Sequence, residues 1–141
     1  MMLAISHKQQ GVAAVEFALI ASVFFAILFG ALEMGRVMFY LNTAAEATRL
    51  GARVAVVCDQ NDSAVTDTMI EMLPILTAEN IDVSYLPAGC DVSSCISVNV
   101  VIANVSVNTF IPFIPFTITL PDFSTTLPRE SMDSTDNSVC T

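Results

Sequence analysis

Residues 12–31 read VAAVEFALIASVFFAILFGA, twenty positions of an apolar run in which Glu16 is the only charge. At about 1.5 Å of helical rise per residue such a run covers about 30 Å, the thickness of a bilayer's hydrocarbon core, so the pattern predicts one membrane-crossing helix. Helical character continues beyond it. Residues 32–57, LEMGRVMFYLNTAAEATRLGARVAVV, are rich in Ala, Leu, Glu, Arg and Met and contain no proline, which extends the same helix to about Val57. Its 46 residues from Val12 would measure about 69 Å, more than half of that outside the bilayer.

The pattern breaks at residues 58–63 into turn formers, with Asp62 or Ser63 available as an N-cap. Val65, Met69, Met72, Leu73 and Leu76 then recur at helical spacing and predict an amphipathic helix whose last turn Pro74 loosens. The methionines read as packing residues, not metal ligands. Beyond Asn80 the period becomes two. Ile81, Val83 and Tyr85 alternate with Asp82 and Ser84 in one strand, and Ile96, Val98, Val100 and Ile102 lead a longer one ending near Val107. Residues 108–116, NTFIPFIPF, cannot form a central strand because Pro112 and Pro115 lack ladder donors; they read as an apolar loop over the core or a partner contact. A third strand is expected over residues 117–126, interrupted at Pro121. The expected fold class is α+β: a long N-terminal helix, a second helix and a small antiparallel sheet packed on the projecting helix.

The domain reading is a cytoplasmic leader over 1–11, the membrane part of the helix over 12–31, its exported continuation over 32–57, a small exported α+β domain over 58–128, and a mobile polar tail over 129–141, tied down only if Cys140 is bonded.

Composition supports a membrane protein. Of 141 residues 54% are hydrophobic and 13% charged, too apolar for an ordinary soluble domain, and the span accounts for much of the excess. What remains, about 110 residues, suffices for one small domain. A removed secretory signal fits poorly, because the apolar run exceeds the usual 7–15 residues and contains Glu16. His7 and Lys8 before the span and Arg36 after it give only a slight orientation signal. The cysteines say more: Cys58, Cys90, Cys95 and Cys140 all follow the span, and an even number in a small exported region suggests disulfides, with reduced thiols as the alternative. The short stretch between Cys90 and Cys95 favours their pairing and leaves Cys58 for Cys140. The net charge of −9 argues against nucleic-acid binding and gives no support for attraction to anionic lipid outside the span.

Glu16 needs an explanation, since ionised side chains at the centre of a membrane helix cost about 2.5–3.5 kcal/mol. It lies only about 6 Å beyond Val12, near the cytoplasmic interface. It is either an interfacial carboxylate reaching water or one that pairs, in a neighbouring subunit, with the Val12 amine freed by cleavage after Gly11. Glu33 with Arg36 and Glu46 with Arg49 are spaced to form helix-stabilising pairs of about 0.2–0.5 kcal/mol each. Gly30, Gly35 and Gly51, unfavourable in helices, suggest close helix contact or bending. His7 is the only histidine, and the carboxylates form no recognisable acid–base pair or calcium loop. Two glycosylation triplets, starting at Asn61 and Asn104, receive no role. The expectation is a protein that is not an enzyme and uses no cofactor or metal.

GVAAVEFALI, LFGALEMGR and NTAAEATRLGARVAVV, all within residues 11–57, and more weakly LPRE at 127–130, resemble the TadE-like minor pilins, or pseudopilins, of bacterial Tad (tight adherence, Flp) pilus systems. About a third of the chain carries the resemblance, and TadF and TadG proteins share its N-terminal pattern. It implies a pilin-like fold and cleavage after Gly11 by a prepilin peptidase, leaving Val12 as the first mature residue, Glu16 as the family's fifth-position glutamate and Phe17 as the aromatic after it. It places Glu33 and Arg36 in an FG-x-x-E-x-GR block that contacts another minor pilin. It further implies a single-pass inner-membrane protein with a cytoplasmic N-terminus and a periplasmic domain, acting in the assembly of a type IV pilus of the Flp type. Implied partners are other minor pilins, the major Flp-type pilin, the peptidase, the assembly platform and membrane lipid before assembly, with no nucleic acid. The alternative is an uncleaved single-span protein with an exported binding domain.

Overall fold

Helix α1 (His7–Ala55) runs unbroken for 49 residues, about 74 Å. It is seen in a computed structural model that describes residues 7–110 and 116–140, with side chains from Gly11 onward. It starts upstream of Val12, through KQQ, which contains nothing that opposes a helix. It ends two residues before Val57 because the chain tightens there: the Val57 N–H bonds the Val54 carbonyl at 3.1 Å. From Ala44 onward α1 becomes part of the core. Ala44, Ala47, Thr48, Gly51, Ala52 and Ala55 fall on one stripe and are buried, and their small side chains let neighbouring elements approach closely.

Helix α2 (Ser63–Met72) packs on that stripe. Asp62 is its N-cap, its carboxylate accepting the Ala64 N–H at 3.0 Å. A Cβ placed on Gly51 would lie 2.3 Å from the Met69 sulfur, so glycine at 51 is what allows the two helices to touch. The expected helix through Leu76 is corrected: α2 stops at Met72, and Leu73 is extended at φ −134°, ψ 86°. The residue before a proline is pushed out of the helical region by the ring, so Pro74 ends the helix instead of loosening it. Leu73 and Leu76 still reach the core from the connection, whereas Met72 is exposed.

A single helical turn (Ala78–Asn80) leads into β1 (Ile81–Leu86), followed by β2 (Ser97–Ile102). With β5 (Phe123–Pro128) they form an antiparallel sheet in the order β1-β2-β5. The registers Val83↔Val100 and Val100↔Thr125 set β2 at the centre. Val98, Val100 and Ile102 alternate inward and are buried against α1. Thr48, the one buried polar side chain of the helix stripe, accepts the Thr125 hydroxyl at 3.0 Å.

Two strand expectations are corrected. The long second strand breaks at residues 103–105, where Asn104 takes the left-handed conformation at φ 58° and the Asn80 side chain holds the carbonyls of Ala103 and Asn104. Its continuation, β3 (Ser106–Asn108), leaves the sheet and pairs with β4 (Thr117–Thr119) in a separate two-stranded ribbon. The single interrupted strand over 117–126 is thus two strands, β4 and β5, on either side of Pro121. Residues 111–115, most of the expected Pro- and Phe-rich loop, lie outside the described residues.

The tail is held by the Cys58–Cys140 bond, the condition under which it was expected to be tied down, and by further contacts. Met132 is buried, and the N–H groups of Glu130, Met132 and Asp133 bond the Val56 and Val57 carbonyls at 2.9–3.3 Å. The tail therefore closes off carbonyls just past the end of α1 that would otherwise lack partners.

Candidate functional site

Toward its N-terminus, below the Glu33–Arg36 contact, α1 is not buried by any of the described residues. The eighteen-residue apolar window within it has 0% of its residues buried, and Val12, Phe17, Leu19 and Phe24 are all well exposed. Placing that much apolar surface in water would be strongly unfavourable, at about 25 cal/mol per Å². The arm is long and apolar enough for a single membrane crossing and is compatible with a single-pass membrane protein.

Near its start, Gly11, Val12, Val15, Glu16 and Leu19 line one shallow face. The Gly11–Val12 bond lies inside the helix, with open space where a Gly11 Cβ would be. Glu16 has no ion-pair partner among the described residues. An unpaired carboxylate on an apolar face is a group that gains from a cation supplied by another molecule.

Glu33 and Arg36 are engaged within the chain. An Arg36 Nη2 donates to Glu33 Oε1 at 2.5 Å and also to the Asn108 carbonyl, while the Phe110 N–H donates to Glu33 Oε2 at 3.2 Å. The pair thus ties the β3–β4 ribbon to α1. The guanidinium also lies over the Tyr40 ring, 5.7 Å from its centroid. The hydrogen bond from Arg36 holds the Glu33 carboxyl below its ordinary range, with the Phe110 N–H acting in the same direction against partial desolvation. Phe29, Leu32 and Phe110 surround this pair with apolar surface. Glu46 and Arg49, by contrast, form an exposed pair at 3.3 Å that contributes little.

Both pairs of cysteines are bonded. Cys58–Cys140 joins the residues just past α1 to the tail, with Cα atoms 5.6 Å apart, and Cys90–Cys95 closes the β1–β2 connection at 5.0 Å. Asp91, within the second loop, accepts from the hydroxyls and N–H groups of Ser93 and Ser94, which lower its pKa to about 2. Asp62 lies near Cys58 and Cys140, but those sulfurs are spent on each other and cannot serve as thiolate ligands. Its carboxylate accepts the Ser134 hydroxyl at 2.6 Å, the main reason its pKa is lowered, with the Ala64 N–H second.

Sequence reasoning did not find the partners of Glu33 and Arg36, which lie more than seventy residues away and bond through backbone atoms. Nor did it find Met132, although a lone methionine in a Ser- and Asp-rich tail was an available signal.

No curated protein and no solved structure matches the chain. A family model does: residues 11–53, the exposed arm and its entry into the core, match the family described as TadE-like protein. That segment, in which both Gly11–Phe17 and the Glu33–Arg36 pair lie, is similar to TadE-like, pilin-related proteins.

Proposed function

We propose that this protein is a minor pilin, or pseudopilin, that enters the assembly of a Tad (Flp-type) pilus after a prepilin peptidase cuts between Gly11 and Val12. The TadE-like segment associates it with the Tad pilus machinery in general. The observation that carries the finer reading is the arm: an apolar helix that its own domain leaves uncovered. In the membrane, lipid covers it; in an assembly, the arms of other pilins take the place of lipid. The cut frees the Val12 amine, and Glu16 of one subunit then neutralises the amine of the next in a low-dielectric bundle. Without Lys8 the chain keeps four basic and fourteen acidic side chains, so its exported surface stays strongly acidic.

In this reading the N-terminus is cytoplasmic, the disulfide-bonded domain is periplasmic, and the partners are other minor pilins, the major Flp-type pilin and the inner-membrane platform. The role is structural and non-enzymatic. Mass spectrometry of the protein from cells carrying the pilus machinery tests it. The expected mass is that of a chain beginning at Val12, while an intact chain from Met1 would favour an uncleaved membrane-anchored binding protein.

A further inference from the structure

The end of the β3–β4 ribbon at residues 109 and 116 lies at the foot of the exported helix, where the Phe110 N–H meets Glu33. Residues 109 and 116 close that end of the ribbon, the Thr109 N–H bonding the Phe116 carbonyl at 2.8 Å. Phe110 is 85% exposed and Phe116 60% exposed, so the ribbon's end presents two aromatic rings that the described residues leave largely uncovered.

Their height follows from the Glu33 bond. Glu33 is two residues beyond residue 31, about 3 Å along the helix. If residues 12–31 fill the hydrocarbon, Glu33 stands in the interfacial layer, which adds about 5–7 Å on each side. The Phe110 N–H is fixed to Glu33 at 3.2 Å, so Phe110 stands at the same height. The exposed Phe29 and Leu32 of α1 continue its apolar surface down into the span.

Charge points the same way. In a chain of net charge −9, the thirty residues from 92 to 121 contain no Asp, Glu, Lys or Arg. The one ion pair at the ribbon's foot is internally neutral. A surface of this kind enters the headgroup–acyl boundary by apolar insertion, without needing anionic lipid.

We propose that Phe110 and Phe116, beside the end of the β3–β4 ribbon that Thr109 and Phe116 close, insert into the interfacial layer of the same bilayer that residues 12–31 cross. It is a second lipid contact, positioned by Glu33 and Arg36. The proposal rests on the membrane-span part of the functional reading, and not on cleavage or pilus assembly.

The chain has no tryptophan, so each substituted tryptophan is the sole reporter of its position. Full-length Phe110→Trp, Leu19→Trp and Val139→Trp proteins are reconstituted in phosphatidylcholine vesicles whose acyl chains are brominated near either the glycerol or the methyl end. The Phe110→Trp emission is expected to lose intensity mainly to the shallow bromines, Leu19→Trp mainly to the deep ones, and Val139→Trp to neither. Adding salt or anionic lipid should leave the Phe110→Trp quenching unchanged. Loss of signal at Leu19→Trp with none at Phe110→Trp overturns the insertion while keeping the span. No quenching at Leu19→Trp overturns the span and the insertion with it. A blue-shifted but unquenched Phe110→Trp would mean that protein, such as a second copy of the chain, covers the ring, and would also overturn the proposal.

Discussion

Removing the Cys58–Cys140 disulfide should be far more damaging than removing Cys90–Cys95, and the difference follows from loop length. The first bond spans 82 positions and the second 5. Loop-closure entropy in the unfolded chain gives about 4.5 kcal/mol for the long loop and about 2 kcal/mol for the short one at 25 °C. The paired variants Cys58→Ala with Cys140→Ala, and Cys90→Ala with Cys95→Ala, leave no unpaired thiol. They should therefore differ in unfolding free energy by about 2.5 kcal/mol. Guanidinium titration of the full chain in a non-aromatic detergent, followed by tyrosine fluorescence, measures this. Tyr85 lies in β1, its hydroxyl accepting the Asn61 N–H at 3.0 Å, and no tryptophan masks it. Equal costs, or a larger cost for the short loop, would refute the entropic reasoning and point to local contacts such as the Gln60 bonds to Cys90 and Cys95.

Gly51→Ala should destabilise the core by about 1–3 kcal/mol despite alanine's better helix propensity, because its Cβ meets the Met69 sulfur. Gly35→Ala, where a Cβ meets nothing within 4 Å, should stabilise the isolated chain by up to about 1 kcal/mol; the same titration reads both. Asp91 has a folded-state pKa of about 2, below the value of about 3.9 in an unfolded chain, so its contribution is complete above about pH 4 and lost as pH falls through about 2. The stability gap between the native chain and Asp91→Asn should accordingly narrow between pH 5 and pH 2, and a constant gap would refute this. Glu16→Ala should leave cleavage after Gly11 intact while abolishing pilus formation, scored by mass and electron microscopy; normal pili would leave Glu16 as an interfacial carboxylate only.

The helices were legible because their signals are local. An apolar run followed by proline-free helix formers specifies α1 without reference to the rest of the chain, and the Val65, Met69 spacing identifies what α2 brings to the core. The strands were legible in their period but not in their partners. Nothing near Val107 says that it leaves the sheet, because that depends on Asn104 turning the chain and on β4 lying ready to pair. In the tail the tie at Cys140 could be anticipated from the cysteine count, whereas the burial of Met132 could not, because its site is assembled from distant elements. At the candidate site, Gly11, Val12, Glu16 and Phe17 could be picked out from contiguous residues. For Glu33 and Arg36 only the i, i+3 pairing was visible, and the backbone atoms of Asn108 and Phe110 that complete the cluster have no sequence signature.

The continuity of α1 has a mechanical meaning. The exposed arm and the stripe buried against β2 and β5 belong to one helix without a break or an intervening loop. Traction applied to the arm reaches the sheet along continuous helical backbone, and the bonds of Glu33 and Arg36 to Phe110 and Asn108 give the helix a second tie to the domain. Arm and core are therefore joined through helical backbone, so the direction in which the arm leaves the core is set by the course of α1 itself.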